Sequence, residues 1–513
     1  MRKSHSFISK ILALVCLSSL FAVTAIPSVS NAEEAQDSLL MVWAPASWPK
    51  AYAYGNDSKT KSIQNCSDGL DGLTEGRCGM IPFSHLNNNM SPCSVDANVS
   101  CIKKLELQLP NENWQTATYL GPMSPSTTKW TSFTNIDLGP TSDASLFTST
   151  SKSGIKTLWM AVAAYSFTSA EISSGTTGPS EFGISIFPIR HISASECTWE
   201  TKWEALLLIA GNVQNFREYC YERLQQPSTF DARLTLTLKR EPTGWVTSYL
   251  QKFDAKTTKY DDGSGRVDLT LEGSNVSFPV TSIEIKKGES ERHERLCATD
   301  PEFAQICAEK FSWNITYLFR TIGSRLGRSK EKFLTFFKQF PELDRAKFET
   351  RTWSLSINMK NEDKINSCSA PKGIYGVVGG NAMVIDESVP IWNASTQTLE
   401  FGVASPHYKS DGQVARGFYE MQLNEQVAKC LWGTKVTPAN VSLSVLDENG
   451  DPKVATAAIS VKNGMVIFRA TGFTYSSTKL SVSLKRLVCS KNGLAKTQPK
   501  GKTTCPKGWK KKQ

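Results

Sequence analysis

The chain has 513 residues, of which 40% are hydrophobic and 21% charged, a balance that excludes disorder over most of its length and leaves room for several buried cores. Its formal net charge of +10 is unevenly placed: Arg2, Lys3 and Lys10 stand in the first 32 residues and eight lysines in residues 491 to 513, both stretches without an acid. The body between them is near neutral, so only the tail predicts an anionic partner.

Residues 1 to 32 read as a secretory leader. The three cations precede an apolar run from residue 11 to 26, and Ser30, Asn31 and Ala32 supply small residues at the cleavage subsites. The mature chain would begin near Glu33, and beyond the leader no apolar run reaches the roughly 18 to 20 residues of a membrane-spanning helix. Cys16 follows Val15 rather than the small residue that lipid attachment needs, so it is read as discarded with the leader. Thirteen cysteines less Cys16 leave an even set of twelve, which in an exported chain favours disulfides. No Cys-x-x-Cys occurs, so neither a redox pair nor a paired-cysteine zinc site is indicated. Twelve cysteines permit many connectivities. The simplest pairs sequence neighbours: Cys66 with Cys78, Cys93 with Cys101, Cys197 with Cys220, Cys297 with Cys307, Cys368 with Cys430, and Cys489 with Cys505.

The pattern along the mature chain predicts a mainly β protein, built of antiparallel β-sandwich modules with a helical insertion. An N-terminal β domain is expected over residues 33 to 195, with Leu105, Leu107 and Leu109 alternating with polar neighbours. A second β region is expected over 196 to 299. It carries Leu234, Leu236 and Leu238, then Val267, Leu269 and Leu271, after a helical tendency in which Trp199, Trp203, Leu206 and Ala210 share one face. Residues 300 to 350 form the helical insertion, where Phe333, Phe336, Phe337 and Phe340 recur at helical spacing before Pro341 ends the helix. A C-terminal β region covers 351 to 488, beginning with Leu355, Ile357 and Met359. From about residue 435 it reads as a sandwich-like unit of its own: Val441, Leu443 and Val445, then a turn at 447 to 451, a strand from 454 to 461, the turn Asn463-Gly464, and strands at 465 to 470 and 480 to 484. Asn-Gly between apolar strands is a strong hairpin signal because both turn residues need positive φ. Residues 489 to 513 close the chain as a basic tail looped by Cys489 and Cys505.

Chemistry-bearing residues are sparse. Beyond the leader only His85, His191, His293 and His407 remain, and without a Gly-x-Ser-x-Gly elbow a serine hydrolase is not supported. Glu289, Glu291, His293 and Glu294 lack metal-binding spacing and are interleaved with arginines, which favours a solvated charged loop. Asp447, Asn449 and Asp451 place oxygens at alternate positions, as a calcium loop does, but Pro452 and the missing downstream glutamate favour a hairpin turn. Asp68, Asp71 and Glu75 are a weaker calcium candidate. Arg320, Arg325, Arg328, Lys330 and Lys332 with the phenylalanines could make a basic amphipathic surface for a membrane, or the phenylalanines could face a core. Trp43, Trp48, Trp114 and Trp130 could stack on sugar rings or fill β cores. A glycoside hydrolase needs only two carboxylates across a cleft and leaves no local motif.

The runs "RGFYEMQLNEQVAKCLWG" and "VSLSVLDENGDPKVATAAISVKNGMVIFRATGFTYSS" resemble the C-terminal part of a group of large, exported, uncharacterised proteins of Gram-positive bacteria. The stretches "ARLTLTLKREPTGW" and "VSFPVTSIEI" resemble their middle region, and Cys489 with Cys505-Pro506-Lys507-Gly508-Trp509-Lys510-Lys511 is similar to a short tail on diverse exported proteins of such bacteria. The resemblance implies export and modular β architecture, and carries no catalytic residues. The expected function is that of a non-enzymatic, exported cell-envelope protein, without cofactor or metal, secreted or held at the cell surface. It would meet anionic envelope polymers through Lys500, Lys502, Lys507, Trp509, Lys510, Lys511 and Lys512, with nucleic acid a less accessible polyanion outside the cell. The alternatives are a carbohydrate-active enzyme or carbohydrate-binding protein, and a membrane-contacting protein.

Overall fold

The computed structural model of the protein describes, with scattered exceptions, residues 83–123, 144–168, 181–193, 229–285, 338–358, 373–385, 390–497 and 504–511. It also describes short strands at 38–43, 53–55, 60–61, 207–209, 220–224 and 316–321 and isolated positions such as 137 and 368. The leader, the disulfides expected at 66–78, 197–220 and 297–307, and the calcium candidates at 68, 71 and 75 lie outside the described residues. No helix among the described residues is long and apolar enough to cross a membrane.

Alternating side chains build the first core. Its strands are β1 (Cys101–Gln108), β2 (Lys156–Thr168), β3 (Glu181–His191), β4 (Asp231–Leu238), β5 (Gly244–Lys259), β6 (Val267–Ser277) and β7 (Arg351–Asn358). Strands β1, β4 and β6 lie side by side and antiparallel, so Leu105, Leu234 and Leu271 form one buried cross-strand row. A one-residue slip would turn all three to solvent, which pins the register. The facing sheet runs β2, β3, β7, β5. Strand β2 reads Trp-Met-Ala-Val-Ala without alternation because both its faces are covered. Trp159, Ala161 and Ala163 point into the core shared with β1, β4 and β6, while Met160 and Val162 enter a smaller core on the other side. Two polar contacts tie this packing: Ser185 donates to Ser354 at 2.9 Å across β3 and β7, and the Trp353 indole donates to the Gly273 carbonyl at 2.8 Å, joining β7 to β6.

Strand β5 is the hinge between sheets. Residues 245 to 249 pair with β7 and residues 244 to 248, in parallel, with β8 (Ile374–Gly380), whereas residues 250, 251 and 254 to 259 pair with β6. The register against β6 shifts between Gln251 and Asp254, and Lys252 adopts φ 54°. A bulge of this kind bends a strand and re-aims its side chains.

A second sandwich follows, from β8, β9 (Thr398–Ala404), β10 (Arg416–Asn424), helix α1 (Glu425–Trp432), β11 (Val441–Leu446), β12 (Thr456–Lys462), β13 (Met465–Thr474) and β14 (Thr478–Leu484). One sheet continues from β5 through β8, β10, β13 and β12, and the other is β9, β14, β11. Phe401, Val403, Val441, Leu480 and Val482 meet Tyr419, Met421, Val466 and Phe468 in one core. Glu420 and Gln422 are buried in β10 but satisfied: Arg469 donates to the Glu420 carboxylate, and Gln422 Nε2 lies 2.7 Å from both Glu420 Oε1 and the Phe253 carbonyl. Gly376 faces Trp245 across the parallel pair, and a Cβ there would come within 2.3 Å of the indole. Only glycine lets the ring lie on the backbone. Helix α1 starts at Asn424, whose side chain accepts from Gln426 N at 2.9 Å, and stops at Gly433 with φ 66°, a capped unit at both ends.

The strands expected from alternation form, but their partners differ from the expected units. The segment from 441 is not a unit of its own: β11 and β14 join β9, while the β12–β13 hairpin extends the sheet of β10. Pairings β1–β4 and β3–β7 likewise join residues placed in different expected regions. Between 199 and 223, Leu207–Ile209 and Cys220–Arg223 are strands; Trp199, Trp203, Leu206 and Ala210 lie outside the described residues. Within 300 to 350, Leu334, Lys338 and Gln339 are helical and Pro341–Asp344 forms a 3-10 turn, but Thr316–Thr321 is a strand. Phe340 is 1% exposed, while Phe333, Phe336 and Phe337 are outside the description.

Three disulfides are present among the described residues, each between the expected neighbours: Cys93–Cys101, Cys368–Cys430 and Cys489–Cys505, with Cα separations of 5.0, 5.4 and 5.7 Å. Beside the first, Asp137 is buried and accepts from Ser100 N at 2.6 Å and from the Ser100 hydroxyl. Burial lifts its carboxyl above the ordinary range, against the opposing pull of the Ser100 hydrogen bonds. The native state therefore holds this proton more tightly than the unfolded chain, and stability from this group falls as pH rises through the raised native value. Asp137→Asn keeps an acceptor for Ser100 and removes the titration. Relative to wild type, the variant should gain in denaturant midpoint as pH rises above the ordinary carboxyl range; a difference that does not change with pH would count against the assignment.

Candidate functional site

The basic tail is folded where it is described. Strands β15 (Val488–Lys491), β16 (Leu494–Thr497) and β17 (Lys510–Lys511) form an antiparallel sheet in the order β16, β15, β17. Lys491 stands opposite Leu494, and Asn492 between them has the φ of 51° that a tight hairpin turn requires. Cys489 lies in the middle strand with no exposure, and its bond to Cys505 carries the chain back across the sheet. A turn then reverses the chain: Trp509 N donates to the Pro506 carbonyl at 2.9 Å, and Gly508 takes φ 82°. Positive φ at the third turn position favours glycine.

Lys491, Lys496, Lys507 and Lys510 are exposed. The register puts Lys491, Leu494 and Lys496 on one face of the hairpin, and Leu494 is 67% exposed between the two cations. No acid lies between residues 489 and 513 to neutralise them.

Of the residues expected from sequence, Lys507 and Lys510 are exposed, and Trp509 is half-buried. Lys510 and Lys511 do not hang free: they are strand β17, opposite Ser490 and Cys489. Lys500, Lys502 and Lys512 lie outside the described residues. Lys491 and Lys496 were not among the expected contacts, although the Asn-Gly pair at 492 and 493 signals the hairpin that presents them.

The other candidates fall into structural roles. His407 Nδ1 lies 2.7 Å from Asp344 Oδ1, which also accepts from His407 N, and no serine hydroxyl bonds to His407 among the described residues. His191 packs edge-on against Tyr221. The charged stretch at 289 to 295 is not a loop where described: Glu291, Arg292, Glu294 and Arg295 are helical, and Arg292 pairs with Glu342. Asp447 Oδ1 accepts from Asn449 N and Asp451 N, both at 2.9 Å, so its carboxylate closes a turn. The ring of half-buried Trp114 is covered by Arg233 at 4.2 Å, while the side chains of Trp43, Trp48 and Trp130 lie outside the described residues. No group of three or more metal-ligating side chains occurs among the described residues. Comparison of the chain with protein families, curated proteins and solved structures finds no match.

Proposed function

We propose that the protein is a non-enzymatic, exported component of the bacterial cell envelope that holds to anionic surface polymers through its folded tail. The observation that carries this reading is the exposure of Lys491, Lys496 and Lys510 on a disulfide-closed sheet, and of Lys507 on the turn before its last strand, with no acid among them. A flexible cationic tail must lose conformational freedom when it binds, whereas cations on a preformed sheet have already lost most of it. Disulfides in three separate parts of the chain suit an oxidising compartment. The membrane reading built on residues 320 to 340 is weakened by Phe340, which is spent on a core.

The test is retention on immobilised polyphosphate and on isolated cell walls as salt is raised. Retention should fall with salt, and changing Lys491, Lys496, Lys507 and Lys510 to glutamine should reduce the logarithmic salt slope by about one unit for each lysine in contact. Cys489→Ser with Cys505→Ser keeps every charge but loosens the sheet, and should weaken retention at the same salt. Unchanged low-salt retention after deletion of residues 489 to 513 would overturn the proposal.

A further inference from the structure

Where β5 leaves one sheet for the other, a cleft of about 510 Å³ opens among Gln108, Leu109, Asn111, Glu112, Asp231 and Lys252, within the range of roughly 300 to 1,000 Å³ typical of small-molecule sites. Two of its lining residues, Gln108 and Asp231, belong to one ladder row. Asp231 stands opposite Gln108 on β1 and Ser274 on β6, and Ser274 stands opposite Gln251 on β5, so the pleat carries these four side chains on one face. Lys252 follows Gln251 inside the β5 bulge and also lines the cleft.

Three observations distinguish this corner from an ordinary surface dip. Asp231 and Lys252 both line it, yet among the described residues neither side chain is engaged in a hydrogen bond or ion pair, with each other or with a neighbour. Ser274, beside Asp231 in the ladder though not itself in the cleft wall, is 1% exposed and its hydroxyl has no hydrogen-bond partner among the described residues, a state that buried polar groups rarely keep. Lys252 and Asn111 hold φ of 54° and 62°; a lysine in the left-handed region is a strained choice where glycine would serve better. Glu112 is committed otherwise, since its carboxylate accepts from Gln115 Nε2 at 2.7 Å and Lys152 N at 3.2 Å.

We propose that this cleft binds a small zwitterion of amino-acid or short-peptide size, with an ammonium against Asp231 and a carboxylate against Lys252. Two opposite charges that share a cleft without pairing match a ligand carrying both charges at its ends. A neutral sugar fits less well, because no lining residue is aromatic and ring stacking is absent.

Calorimetry on the full chain tests this with alanyl-alanine, its N-acetyl and C-amide forms, and a neutral disaccharide. Alanyl-alanine should bind saturably. N-acetylation should weaken binding about tenfold, with no further loss in Asp231→Asn, and C-amidation should do the same with Lys252→Gln. Lys252→Gly should lose the carboxylate-dependent affinity while its unfolding midpoint stays level or rises, because glycine suits the left-handed position; that separates lost recognition from lost folding. The proposal fails if no zwitterionic probe binds saturably, if the charge variants bind as wild type does, or if the disaccharide binds as tightly as the dipeptide.

Discussion

Replacing Trp353 by alanine should lower the unfolding free energy by about 3–5 kcal/mol, read as a fall in denaturant midpoint at unchanged slope. The ring is completely buried in the first core, so truncation leaves a cavity that packed sheets on both sides cannot collapse to fill. Its Nε1 also joins the two sheets through the Gly273 carbonyl. Trp353→Phe retains much of the volume and isolates that hydrogen bond, and should cost about 1–3 kcal/mol. Equal losses in the two variants would show that the bond, not the packing, dominates.

Removing the Cys368–Cys430 disulfide by paired serine substitution should cost about 4 kcal/mol on the chain-entropy estimate, because it closes a loop spanning 62 positions. The Cys93–Cys101 bridge spans only 8, and its removal should cost about 2.5 kcal/mol on the same basis. The longer bridge holds Cys430 on α1, the helix whose Val427 and Ala428 enter the second core. Denaturant titrations of the two double variants give the comparison. If the short bridge proved the more costly, chain entropy would not be the governing factor and local packing would have to be.

Much of the architecture is legible in the residues. Leu234, Leu236 and Leu238 on β4, and Val267, Leu269 and Leu271 on β6, alternate cleanly and are buried as alternation demands. Strand β2 gives no such signal, because a strand covered on both faces has no polar side to alternate with. Helix α1 carries readable caps in Asn424 and Gly433, yet its eight residues directly continue the β10 pattern and are too few for periodicity to separate them.

The candidate sites divide in the same way. The tail's charge and its closing cysteines are sequence facts, and the nearest-neighbour pairing of Cys489 with Cys505 follows from proximity along the chain. The cleft has no linear signature: Gln108, Asp231 and Lys252 come from three strands, and a bulge at Gln251 to Asp254 joins them. What the sequence alone determined was local: which segments are strands, which face of each is apolar, where turns need positive φ, and where charge collects. Each follows from interactions between residues a few positions apart. Only the tertiary structure decided which strands pair, that β5 serves two sheets, and that Lys491, Lys496, Lys510 and Lys511 stand on a sheet of their own. Those outcomes depend on contacts between distant segments, and an apolar face carries no record of which other apolar face will cover it.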